Sequence, residues 1–128
     1  MMPKSITVGE LLNNEHYVQV TGDEKSLERP IYVDEINRPG FELAGFFKHS
    51  DFRRIIIFGD KESAFINEMS EERQREIFPF LINDEVPCII VAKGNECPAI
   101  LIEIARKKDF PIFITESATG RVSIELTN

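Results

Sequence analysis

The chain has 128 residues, 42% of them hydrophobic and 29% charged, and a net charge of −7; this is the size of one domain, able to bury roughly two-thirds of its unfolded surface in a single core. The acidic balance speaks against nucleic acid and against an anionic membrane, since both require a concentrated basic surface. No apolar run reaches the length of a bilayer span, no signal-type h-region follows Met1, and two cysteines make no disulfide scaffold, so a cytoplasmic protein with reduced thiols is expected.

Taken in chain order, Ile6, Val8, Leu11 and Leu12, ahead of Asn13-Asn14, predict a short strand or entry turn leading into a small helix. Tyr17, Val18 and Val20 alternate as a strand does and stop at Gly22-Asp23. Pro30 keeps Arg29 out of the helical region and opens a brief extended run, Ile31-Tyr32-Val33. Pro39 can start a helix whose apolar face is Phe41, Leu43, Ala44 and Phe47.

Ile55-Ile56-Ile57-Phe58, closed by Gly59-Asp60, reads as a strand buried on both faces. Lys61 to Phe80 is helical in pattern, and Ser70 serves as N-cap of a second helix with Glu71 and Glu72 at its positive end. Cys88 to Val91 is another buried strand. Pro98 opens a helix through Ile100, Leu101, Ile104 and Ala105, whose negative end is matched by Arg106, Lys107 and Lys108. Pro111 to Ile114 gives a last buried strand, followed by a segment of undefined type at Val122, Ile124 and Leu126. Short apolar strands alternating with helices predict one α/β domain over residues 1–128, with a mixed or mostly parallel sheet covered on both faces.

Few residues here carry chemistry. Gly40 and Gly45 stand at P-loop spacing, yet Phe46 and Phe47 occupy the places of the Lys and the Ser or Thr that hold phosphate and magnesium. The turn from Gly59 to Ser63 could present backbone amides to a phosphate, but with one glycine and no second Lys and Ser in register it reads as an ordinary strand-to-helix turn first. Hydroxyls, a glycine and Arg121 follow the last strand in Thr115 to Arg121, where open α/β sheets place ligands and where helix caps also occur. His49 beside Ser50 and Asp51 reads as a surface turn and not a triad, and so does His16 after Glu15. Two histidines and two cysteines show no zinc spacing, and no metal or catalytic residue is assigned. Glu71 with Arg75 is expected to form an i,i+4 pair on a solvated helix face. Phe46 and Phe47 project about 100 degrees apart on a helix, which turns one of them toward a partner.

The block Arg38-Pro39-Gly40-Phe41-Glu42-Leu43-Ala44-Gly45-Phe46 resembles the R-P-G-x-E-L-A-G-[FY] block in the N-terminal domain of bacterial HPr kinase/phosphorylase. Further similarities follow in the same order along the chain. Val8, Leu11 and Leu12 match a V-x-x-L-L entry; Gly22, Leu27, Arg29, Pro30 and Ile31 match a G-x-x-x-x-L-x-R-P-I segment. Arg54, Ile55 and Gly59 resemble an R-I-x-x-x-G strand and turn, and Pro87 to Val91 a T-P-C-I-I-V strand with Val86 in place of Thr. Thr119, Arg121 and Leu126-Thr127-Asn128 complete the likeness.

The resemblance implies a three-layer α/β/α sandwich similar in shape to the N-terminal domains of Mur ligases. It implies a non-catalytic assembly or regulatory domain, with the catalytic Walker A domain beyond residue 128. In such an enzyme ATP and magnesium serve that second domain, which phosphorylates a serine of the phosphocarrier HPr and removes the phosphate by phosphorolysis. The enzyme thereby governs carbon catabolite repression in the phosphotransferase system. Expected partners are its own kinase domain, sister subunits of a hexamer and HPr. Within this chain no cofactor is expected, and the candidate interface or ligand contacts are Arg38, Phe46, Phe47, Gly59, Thr119 and Arg121. The alternative is a domain that senses a phosphorylated metabolite, nucleotide or nucleotide-sugar at the strand ends near Gly59 and Thr119 to Arg121.

Overall fold

A computed structural model describes residues 6–12, 14–31, 36–37 and 55–118. Two sheets form. In the smaller, β1 (Ile6–Thr7) pairs antiparallel with β3 (Pro30–Ile31). The larger has the order β2-β7-β6-β5-β4, built from β2 (Val18–Thr21), β4 (Ile36–Asn37), β5 (Ile55–Phe58), β6 (Ile89–Val91) and β7 (Ile112–Ile114). Strands β4 to β7 run parallel and β2 joins the edge antiparallel to β7, so the sheet is mixed.

The register sorts the side chains into two cores. Ile56, Ile89 and Ile112 are aligned across the sheet, as are Phe58, Val91 and Ile114. Because successive side chains alternate between faces, both rows lie on one side. There they meet α2 (Asp60–Asn67), α3 (Glu71–Leu81) and α4 (Ala99–Lys107) through Ile66, Ile77, Phe78, Leu81, Leu101 and Ala105. The intervening row, Ile57, Ile90 and Phe113, faces the other way with Ile55 and Cys88. It packs on Val8 and Leu12 of α1 (Val8–Leu12), on Tyr17 and Ile31, and on Leu27 of the 3-10 turn Lys25–Glu28. Helical structure thus covers both faces, and each strand of the run β5 to β7 is apolar without interruption for that reason.

The helix boundaries follow their caps. Ser70 Oγ accepts from the Arg73 amide at 3.1 Å and starts α3, while Pro98 stands at the N-cap of α4. The charges on α3 pair differently from the expected i,i+4 arrangement. Arg75 bonds Glu103 on α4, and Arg73 bonds Glu76 at 2.8 Å. The shorter reach across two packed helices outcompetes Glu71, which acts on Arg75 only through space. Pro79 lies inside α3, where it removes one helical N–H two residues before the end.

Arg29 ties the N-terminal ends of the parallel strands together. Its Nη2 donates to the carbonyls of Asn83 at 2.7 Å and Val86 at 2.6 Å, its Nε donates to Val86 O at 3.2 Å, and its guanidinium lies 5.0 Å from the centroid of Phe110. A planar fork suits two carbonyls and a ring at once; an ammonium does not. Nearby, buried Thr21 donates from Oγ1 to Phe110 O at 2.7 Å, and the Asp23 amide donates to Asp109 Oδ1 at 2.8 Å.

The carboxyls of Asp23 and Asp109 also share a hydrogen bond. It holds Asp23 below the usual aspartate range, helped by the Ser26 amide, and pushes Asp109 above it. A raised carboxyl contributes stability that is complete below its unfolded value and lost as pH climbs through the folded one. A depressed carboxyl contributes stability above its unfolded value and loses it as pH falls through the folded one. The contact is therefore firmest with one proton on the pair, in the window that brackets the ordinary aspartate range, and weakens when both groups ionise toward neutrality.

Two outcomes are expected. Arg29→Ala should lower the unfolding free energy by about 2–3 kcal/mol and Arg29→Lys by about 1–2 kcal/mol, the charge alone not replacing the fork; urea titration measures both, and an unperturbed Arg29→Lys would refute the bidentate role. Asp109→Asn supplies a permanent donor to Asp23 and suits the positive φ of 52° at this position. It should raise the melting temperature at pH 7 and flatten its dependence on pH through the acid range, as followed by circular dichroism.

Candidate functional site

The strand ends opposite Arg29 carry a second set of polar side chains that cross between elements. Gly59 caps α2, and its amide donates to Oε1 of Glu62 at 2.9 Å. Glu62 is buried at 6% exposure. The helix start therefore has its own carboxylate where an external anion would take up the same amide. Next to it Asp60 receives Lys93 Nζ at 2.7 Å and Asn95 Nδ2 at 3.0 Å, and Asn95 also donates to Ala92 O at 2.9 Å. Lys93 and Asp60 are both 57% exposed, so their pairing orients the loop more than it stabilises the fold.

The loop after β6 is shaped by two left-handed residues, Lys93 at φ 59° and Gly94 at φ 68°. That reversal aims two successive amides at the exit of β7: Lys93 N donates to Ser117 O at 2.8 Å and Gly94 N to Thr115 O at 3.0 Å. Thr115 N in turn donates to Val91 O at 3.0 Å, and Ser117 N to Thr115 Oγ1 at 3.2 Å. A side chain at position 94 would collide with Glu116, whose Oε2 lies 2.8 Å from where a Cβ would stand. Glycine at 94 thus serves both the turn and the seat of the Glu116 carboxylate.

Between this loop and the entry to β2 lies a cleft of about 330 Å³. Glu15, His16 and Val18 form one wall, Gly94 and Asn95 the other, and Ile114 to Ser117 the floor. Its origin is topological: α1, ahead of β2, covers one face of the sheet, and α4, ahead of β7, covers the other. The chain diverges at the junction of β2 with β7, which leaves a crevice at the carboxyl end of a parallel strand.

Of the residues singled out in the sequence, Gly59 stands at the α2 cap as described. Arg38, Phe46, Phe47, Thr119 and Arg121 lie outside the described residues, as do His49 and the block from Arg38 to Phe46. Sequence reasoning set aside Glu15 and His16 as turn residues and did not single out Asn95, whereas Glu116 falls within Thr115 to Arg121, the segment read as a possible ligand site after the last strand; the signal for the Asn95 loop was Lys-Gly-Asn directly after a buried strand, the mark of a left-handed turn. Among the described residues no three His, Cys, Asp or Glu side chains group to hold a metal ion, and no helix is long and apolar enough to cross a membrane. Cys88 and Cys97 are free thiols, both pushed up by burial, Cys97 to about 12. Neither has the accessible thiolate that nucleophilic chemistry requires.

Residues 6–128 match the family model described as HPr Serine kinase N terminus. The chain is 32% identical over 127 residues to an HPr kinase/phosphorylase of Bacillus cereus strain AH820, and equally to those of Bacillus cytotoxicus and Bacillus mycoides. Each alignment takes in 99% of this chain and 40% of the relative, so the chain spans well under half the length of the proteins it matches. Among solved structures, the CBS and DRTGG domains of the regulatory region of Clostridium perfringens pyrophosphatase, complexed with the activator diadenosine tetraphosphate, are similar in fold. The TM-score is 0.59 at 18% identity, covering 94% of this chain and 44% of that one.

The loop geometry yields a paired expectation. Gly94→Ala should cost about 1–2 kcal/mol through its left-handed backbone and the displacement of Glu116. Lys93→Gly removes a similar backbone penalty and an exposed ion pair of small worth, and should be neutral or stabilising by up to about 1 kcal/mol. Denaturant midpoints decide the matter, and equal losses in the two variants would contradict it.

Proposed function

This chain belongs to the HPr serine kinase N-terminal family, and from that membership we propose that it acts as a non-catalytic assembly or regulatory domain of a bifunctional HPr serine kinase/phosphorylase. The observation that carries the reading is the extent of the match: nearly all of this chain aligns with a minor part of each of these longer kinase/phosphorylases. Phosphoryl transfer then belongs to the remainder of such a protein, with ATP and magnesium bound at a Walker A loop there. Its partners are that kinase domain, sister subunits in a hexamer, and HPr in the cytoplasm. Its output is carbon catabolite repression through the phosphotransferase system.

The local chemistry supports a non-catalytic role. The turn after β5 fills its own amide with Glu62, and in the sequence Phe46 and Phe47 stand where a phosphate loop needs Lys and a hydroxyl. The strand-end cleft, lined by Glu15 and Glu116, does not favour a phosphorylated metabolite either. The paired apolar cores on both faces of the sheet give a rigid body suited to carrying contacts between subunits.

The test is a domain exchange. Replacing the matched region of the Bacillus cereus enzyme with this chain should retain HPr phosphorylation and the subunit assembly seen by light scattering. The chain by itself, given ATP, magnesium and HPr, should yield no phosphoserine. Phosphorylation of HPr by the chain alone would defeat the proposal, as would a chimera that behaves no differently from an enzyme lacking the region altogether.

A further inference from the structure

The cleft between β2 and β7 has a definite chemical bias. Glu15 and Glu116 both line it, and among the described residues neither has an ion-pair partner. The ammonium of Lys93, next in sequence to Gly94 on the cleft wall, is engaged by Asp60. Asn95 uses both amide hydrogens on Asp60 and Ala92, which leaves its Oδ1 as a further acceptor without a partner among the described residues. Acceptors thus outnumber donors on the walls.

The floor supplies the second observation. Thr115 is 5% exposed and lines the cleft; its Oγ1 accepts from Ser117 N, but its hydroxyl hydrogen has no acceptor among the described residues. A buried hydroxyl that donates to nothing is uncommon, because the desolvated donor costs about 1–3 kcal/mol until a partner arrives. Beside it, Ile114 and the 58% exposed Val18 offer an apolar surface.

We propose that this cleft binds a small molecule that carries a protonated amine next to a neutral oxygen. The amine is met by Glu15 and Glu116, the oxygen accepts from the Thr115 hydroxyl, and the carbon skeleton rests on Val18 and Ile114. An amino sugar and an amino-acid amide both have this chemistry. A phosphate ester does not, since it would face two carboxylates. The site stands apart from the kinase-related reading above: either can fail without the other.

The experiment is an amide NMR titration of the whole 128-residue chain with glucosamine, lysinamide, glucose and glucose 6-phosphate. Saturable shifts at Gly94, Asn95, Glu116 and Ser117 are expected from an amine; a preference for glucosamine identifies a hydroxyl as the oxygen and a preference for lysinamide a carbonyl. Glu116→Gln and Glu15→Gln, both at exposed positions, should each weaken that amine about tenfold, the size of one charge-assisted hydrogen bond. The proposal is overturned if no amine saturates these shifts, if glucose or its phosphate binds as tightly as glucosamine, or if both variants bind the amines as the parent does.

Discussion

Strands β5 and β6 are buried on both sides, as is β7 up to Ile114 at the cleft, and most of what surrounds them answers that condition. A four-residue and two three-residue strands of Ile, Val and Phe cannot be left with an exposed face, so the register must align rows that point the same way and both rows must be covered. A slip of one residue in β6 would exchange Ile89 and Val91 for Cys88 and Ile90 on the face of α2 to α4. It would put the smaller Cys88 against Ile77, Phe78 and Leu81, and leave the other core overfilled. Helices α2 to α4 gather on one face because the parallel strands follow one another in sequence order. The small elements α1, β1, β3 and the 3-10 turn are left to close the other.

Arg29 belongs to this logic although it is charged. The loop Asn83 to Val86 must turn from α3 into β6 at the edge of the core, where its carbonyls have few backbone partners. A guanidinium supplies donors to two of them and lays its face on Phe110. The Arg-Pro pair is therefore a structural device as much as a family signature. Pro30 holds Arg29 extended, at φ −58° and ψ 133°, and that extension carries the guanidinium across to the far loop.

Much of the fold was legible in the sequence, and unevenly so for physical reasons. Ser70, Pro98 and the runs at Ile55, Cys88 and Pro111 are local signals, and each marks an element boundary within a residue or two. The mixed sheet was expected, but the seat of β2 beside β7 was not, because nothing local to Val18–Thr21 names a partner over ninety positions away. The same limit hid the Arg75–Glu103 bridge, where sequence offered only the neighbour Glu71. For the candidate site the loss was larger. Glu15 and Asn95 acquire meaning only when turns distant in sequence are brought to one sheet end beside Thr115 to Ser117, whose place after the last strand was legible, whereas the Gly59 turn, readable as an ordinary strand-to-helix connection, has its amide taken by Glu62 from within its own helix. Pro79 went unread for the opposite reason: the apolar periodicity of Ile77, Phe78 and Leu81 runs through it.

The pairing of β2 with β7 sets a schedule for how the domain comes into being. Thr21 meets Phe110 across 89 positions, and Val18 meets Ile114. On a ribosome adding about 5–20 residues each second, the N-terminal segment waits several seconds before its edge of the sheet exists. During that wait α1, Tyr17 and the 3-10 turn can rest only on an unfinished layer, with the backbone of β2 open to any passing strand. Contacts this distant also make folding slow compared with a helical bundle of the same size. The vulnerable period of this protein is therefore its synthesis, and a chaperone that shelters the first twenty or so residues would act where the topology leaves the chain most exposed.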